Sequence, residues 1–249
     1  WHIDDTYRSL IEDVTAIPSR NIFFDHSIPR GPGSADAYLV TDTGLPSAAL
    51  VTLGNDYINV LGNHGENDDL QVKAMPALPV PVNLVLTAKE GTTPEEKTQL
   101  ASDAEDLIRA AFRESSAYPT VTRVAPFQRF ARSGYDGPLH AAFPLIDAVD
   151  WTLPAADPEP GMELPVIQRA LLDLAAVTDE AGGKVGLPAT AHGIADGTKV
   201  RVSGTVNYNG VFPLHADSSA DKIVIVHAYV AEVLAGTPAA DALVVEVAA

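Results

Sequence analysis

Ile28-Pro29-Arg30-Gly31-Pro32-Gly33-Ser34, followed by Ala35-Asp36-Ala37-Tyr38-Leu39-Val40, is the stretch from which the fold is read. Arg30 to Ser34 concentrates glycine and proline and forms a turn, and Ala35 to Val40 supplies a strand. Upstream, Asn21-Ile22-Phe23-Phe24 reads as a short strand. Before it, Asp4 and Asp5 are placed to cap a helix carrying Tyr7, Leu10, Ile11 and Val14 at helical spacing, which Pro18 stops. Downstream, Pro46 and Ser47 open a second helix with Leu50, Leu53, Tyr57, Ile58 and Leu61 on one face. A polar exit loop over 62–69 leads into a strand from Leu70 to Met75. The order helix, strand, strand, helix, strand defines an α+β unit over residues 1–78.

A second α+β unit is expected over 79–178. Val80, Val82, Leu84 and Leu86 alternate in a strand that continues to Ala88. Thr93 is the expected N-cap of the next helix, with Pro94 at its first position and Glu95-Glu96 in its favourable first turn. Leu100, Ala104, Leu107, Ile108, Ala111 and Phe112 form its apolar face. Val121 to Val124 reads as a strand, Phe127 to Phe143 as one or more short helices, and Leu145 to Leu153 as an edge or half-buried strand. Ala155 to Gly161 has the composition of a loop. Leu164 to Val177 suits a strand at its start and a helix later. From 184 to 249 the signals are short β segments: 199–202, 211–214, 223–230 and 242–247, with Asn209-Gly210 as a tight-turn dipeptide. This third part reads as a small all-β module.

Composition removes several functional classes. The 249 residues include 16 Lys and Arg against 33 Asp and Glu, a formal charge of −17. A polyanion-binding surface depends on bases that displace counterions, so nucleic acid is not an expected partner. Cysteine is absent, which excludes disulfides and thiolate chemistry. No window approaches the roughly 18 apolar residues that suggest a membrane span, and the start lacks the pattern of a secretory signal. Beginning at Trp1 instead of Met, the chain is expected to be a piece of something longer.

Catalytic and ligand-binding patterns are equally sparse. The histidines His2, His26, His64, His140, His192, His215 and His227 show no helical metal-ligand spacing. Glu66, Asp68 and Asp69 lack the later bidentate Glu of a calcium loop and read as a solvated loop capping the next strand. Gly31-Pro32-Gly33-Ser34 lacks the Gly-Lys-Ser/Thr end of a phosphate cradle and is followed by a strand instead of a helix. No Gly-x-Ser-x-Gly elbow occurs. No catalytic residue, metal or cofactor is assigned, and the chain is expected not to be an enzyme.

The Pro-Arg-Gly-x-Gly-Ser turn at 29–34, its following strand, and Gly65-Glu66-Asn67-Asp68-Asp69-Leu70-Gln71-Val72 resemble the core of baseplate J-like proteins. The resemblance extends over roughly residues 1–178 and includes the strand from Val80, the helix from Thr93 and the strand at 145–153. It implies two small ferredoxin-like α/β units, here followed by the appended β module. It also implies a wedge subunit in the tail baseplate of a contractile phage or related injection machine. The expected location is the virion tail, assembled in the bacterial cytoplasm. Expected partners are a second copy of the chain, a smaller wedge subunit, and hub and sheath-proximal proteins, without membrane insertion.

Interface candidates chosen for apolar excess are Leu100, Leu107, Ile108 and Phe112 on one helix, and Ile167, Leu171, Leu172 and Leu174 further on. A receptor- or carbohydrate-binding role for the β module is the alternative. It is weakened because 184–249 offers only Tyr208, Phe212 and Tyr229 as aromatic platforms.

Overall fold

A computed structural model describes residues 3–248. The chain is α+β with a β-rich C-terminal region, and it divides into two compact units. The first comprises the chain through Leu78 with Ala125–Phe127 and Gly161–Leu164; the second holds the remainder.

In the first unit, helix Ile3–Thr15 buries Tyr7 and Ile11. It ends because Thr15 turns its hydroxyl back onto the Ile11 carbonyl at 2.6 Å and Ala16 enters the left-handed region. The sheet runs Ile22–Asp25, Ser34–Leu39, Asp69–Ala74, antiparallel in its first pair and parallel in its second. Parallel pairing requires a crossover. It is made by helix Ala48–Asn55, which Ser47 caps through the Leu50 amide, and by a π-helical turn at Asp56–Val60.

That crossover closes a sheet edge. Asp69 and Met75 donate to Gly33 and Leu39, so odd-numbered peptides of the third strand face its neighbour and even-numbered ones face outward. Asn55 meets the outward groups of Val72 twice, donating to its carbonyl at 2.6 Å and accepting from its amide at 2.9 Å. Asn59, one turn on, donates to the Leu70 carbonyl at 3.0 Å. Two helix side chains thus imitate a fourth strand and block edge-to-edge pairing. Of the apolar face expected for the helix, Leu50, Tyr57 and Ile58 pack on the core, and Leu53 and Leu61 do not. Gly54 and Asn55 occupy positions against the strand, Ile58 is buried, and Leu53 and Leu61 are exposed.

In the second unit, Val82–Ala88 is the central strand, antiparallel to Ile146–Leu153 and parallel to Leu243–Ala248. Helix Pro94–Ala111 packs on the last of these. It begins with the expected Thr93 cap, extended by Glu96 into a reciprocal capping box. Two antiparallel sheets complete the unit. One runs Gly210–Pro213, Lys199–Ser203, Ala239–Asp241, Arg169–Leu171; the other runs Lys222–Val226, Lys184–Pro188, Thr178–Glu180. Their shared core holds Tyr208, Val185, Leu187, Val200, Ile223 and Ile225.

The β-rich segment is therefore not separated at about residue 180 from what precedes it. Leu243-Val244-Val245 is a continuously buried run, as a strand buried on both faces requires, and it completes the sheet begun at Val82. Asn83, itself buried, fixes the junction: its amide donates to the Val82, Lys199 and Ala242 carbonyls and its oxygen accepts from the Lys199 amide. Smaller differences are local. Val121 and Val124 are buried in a loop, the helix expected over 127–143 spans Ser133–Ala142, and 164–177 holds the strands Leu164–Ile167 and Arg169–Leu171. Asn209 clamps the 204–209 loop through Thr205 instead of forming a two-residue turn.

Replacing Asn55 with Ala leaves both outward groups of Val72 without their partner. The expected loss is about 1–3 kcal/mol, measurable as a lower urea midpoint at unchanged m-value.

Candidate interaction surfaces

The turn that decides the first fold unit is held by one cation. Arg30 donates from Nε to Asp69 at 2.6 Å, from one terminal nitrogen to Asp36 at 2.5 Å, and from the other to the Ala35 and Asp69 carbonyls. Lys73 reaches the second Asp36 oxygen at 2.6 Å. Burial alone pushes the Asp36 carboxyl up, but Lys73 and Arg30 outweigh it and hold it below the ordinary carboxylate range. Gly33 is required beside this cluster: its φ is +87° and a Cβ would stand 2.7 Å from the Asn67 carbonyl oxygen. Tyr7 ties the same loop to the first helix, donating to Asp68 at 2.7 Å and accepting from the Gly65 amide at 3.0 Å.

A second cluster lies in the other unit. Asp241 accepts from Arg109 and Arg169, each at 2.8 Å. Arg109 also reaches Glu105 and Glu114, and Arg201 reaches Glu105. Desolvation pushes the Asp241 carboxyl up; Arg109, the Leu243 amide and Arg169 together hold it below its ordinary value.

The eight apolar interface candidates separate sharply. Leu100, Leu107, Ile108, Phe112, Ile167 and Leu172 are buried within the chain's own core. Phe112 stacks in a tilted pair with Phe130, which also meets Trp151 edge-on. Only Leu171 and Leu174 stand at the surface, 72% and 63% exposed.

Around Leu174 the structure assembles a patch that periodicity alone did not reveal. Val206 and Val233 are 84% and 70% exposed. Val233 forms a β-bridge with Ala176, and the Leu234 amide donates to Ala175. Tyr229 and Val230 are exposed on the same segment. From Ala228 to Gly236 the only acidic or basic residue is Glu232. Its carboxylate is half-buried and engaged locally, accepting from the Val206 and Asn207 amides and the Asn207 side chain. These segments thus present exposed apolar side chains on a chain of charge −17. The sequence signal was the unbroken Ala228-Tyr229-Val230-Ala231 run, which reads as a continuation of the strand that in fact ends at Val226. Among the described residues no helix is long and apolar enough to cross a membrane.

Comparison with known proteins gives the chain a context. No family model matches the chain. It is 38% identical over 128 residues to a protein of Haemophilus phage HP1 (strain HP1c1) named "Putative baseplate protein gp29". The chain is similar to this phage protein. The match covers 51% of this chain and 32% of the relative, so the chain spans about a third of the length of the protein it matches.

Both buried carboxylates have folded pKa values below their unfolded ones. Their stabilisation is present above the unfolded value of about 3.9 and is lost as pH falls through the folded values. Urea midpoints are therefore expected to hold between pH 7 and 5 and to fall below about pH 4. Asp241→Asn should flatten that fall and cost about 3 kcal/mol at neutral pH, because two arginines lose their charged partner.

Proposed function

We propose that the chain is a structural component of a phage tail baseplate, acting through subunit contacts and not through catalysis. The observation that carries this reading is the 38% identity to the Haemophilus phage protein over half the chain. The finer reading is a baseplate J-like wedge subunit of a contractile tail. It is supported by the order of the turn at Pro29–Ser34 and the strand after Gly65, whose Arg30 and Asp69 meet in a single ion cluster. On this reading paired copies join a smaller wedge subunit, six such groups ring the hub below the sheath, and the location is the virion tail.

The physical division of labour follows from where the charges lie. Each unit is braced internally by a carboxylate shared between two cations, Asp36 in the first and Asp241 in the second. Such units keep their shape under load, and rearrangement on contraction falls on the contacts between subunits. The patch formed by Leu174, Val206 and Val233 is the proposed contact surface, with Leu171 as the further exposed member of the apolar set.

Cryo-electron microscopy of tail particles from the source phage tests the assignment. Density for the chain in a sixfold ring around the hub is expected; density confined to fibres or tips would shift the role to receptor binding. A Val206→Glu, Val233→Glu double variant is expected to keep its fold stability within about 1 kcal/mol, as exposed positions allow. In complementation it should fail to enter assembled baseplates.

A further inference from the structure

A cleft of about 610 Å³ opens in the first unit, apart from the apolar patch. Its apolar lining includes Phe24, Ile28 and Leu70. The Phe24 ring lies nearly parallel to the His26 ring, with centroids 5.9 Å apart. Two carboxylates border these rings. Asp4 meets the His26 ring at 3.0 Å, and Asp68 accepts from the Tyr7 hydroxyl. The third acid of the lining, Asp69, is already neutralised by Arg30. Arg8 lies over the Phe24 ring, 5.0 Å from its centroid, and is paired with Asp5.

Ile28 is the unusual member. It is 55% exposed and adopts φ +52°, a conformation that a β-branched side chain avoids. A residue there costs about 1–2 kcal/mol relative to glycine, and burial does not offset it. Held at the cleft wall, its side chain offers apolar contact to an occupant beside the carboxylates.

We propose that this cleft docks a segment of a partner protein presenting a Lys or Arg side chain next to an apolar one. The cation faces Asp4 and Asp68, and the apolar neighbour lies on Phe24 and Ile28. The overall negative charge steers such a segment toward the cleft. This inference is independent of the baseplate reading, because it concerns the chemistry of the cleft and not the assembly.

Methyl and amide NMR of the full chain, titrated with N-acetyl-Leu-Arg-amide and with N-acetyl-Leu-Glu-amide, tests it. The basic peptide is expected to shift Ile28, Ala35 and Leu70 saturably, with Kd on the order of 1 mM, weakening as salt rises. The acidic peptide should bind at least about fivefold more weakly, the effect of one exposed charge pair of about 1 kcal/mol. Asp4→Asn should weaken the basic peptide by a similar factor. Ile28→Gly relieves the backbone, so it should raise the Tm while weakening binding. Absence of saturable shifts at the cleft, equal binding of the two peptides, or unchanged binding by both variants would each overturn the proposal.

Discussion

The guanidinium of Arg30 is the interaction on which the first unit depends. It spans a turn residue's own strand, through Asp36 and the Ala35 carbonyl, and a strand nearly forty positions later, through the Asp69 side chain and carbonyl. Only a planar group with several donors in fixed directions reaches all four acceptors; an ammonium at this place would satisfy one or two. Asp36 makes the requirement strict, since a buried carboxylate without its cations is far costlier than the same carboxylate in water. The Arg-Gly-Pro-Gly-Ser turn and the Asp-Asp-Leu strand are thus two ends of one ion cluster. Their order in the sequence is the order in which a parallel strand pair must be built around its crossover helix.

The second unit solves a similar problem with different groups. Its C-terminal strand returns to lie parallel to Val82–Ala88, the connection of highest sequence separation in the fold. Asn83 fixes that return by bonding to carbonyls at 199 and 242, and Asp241 fixes it again by drawing in Arg109 from the helix and Arg169 from the edge strand. Each partner meets a directional demand that apolar packing alone does not impose. Hydrophobic burial supplies the larger driving force here as elsewhere, but these polar junctions specify which strand lies where.

Legibility in the sequence followed the range of each interaction. The Thr93 cap, the Ser47 cap, the turn at 30–34 and the α+β class are local features, and each is present as read. The helix after Ser47 faces the core with Leu50, Tyr57 and Ile58 as read, but Leu53 and Leu61 are exposed, and the strand-side positions are taken by Gly54 and by Asn55, a polar residue whose role is defined by the strand edge it meets. The unity of the segments after Pro79 was hidden because a parallel pairing between 82–88 and 243–248 leaves no periodic trace. Apolar excess was likewise a poor guide to surface. Six of eight selected residues fill the interior, while the exposed Val206 and Val233 lie in irregular segments that carry no periodic signal.

The pairing of charges within the chain also bears on the proposed contact surface. Arg30, Arg109, Arg132, Arg169, Lys73, Lys184, Lys199 and Lys222 are each committed to carboxylates of the same chain. With these bases paired internally and acids in twofold excess, the chain carries a net charge of −17. Two such chains pressed together would place like charges in a medium of falling dielectric, where repulsion grows. On the contact surface proposed above, apolar burial would offset part of that cost, and a partner with a basic rim would lower it further.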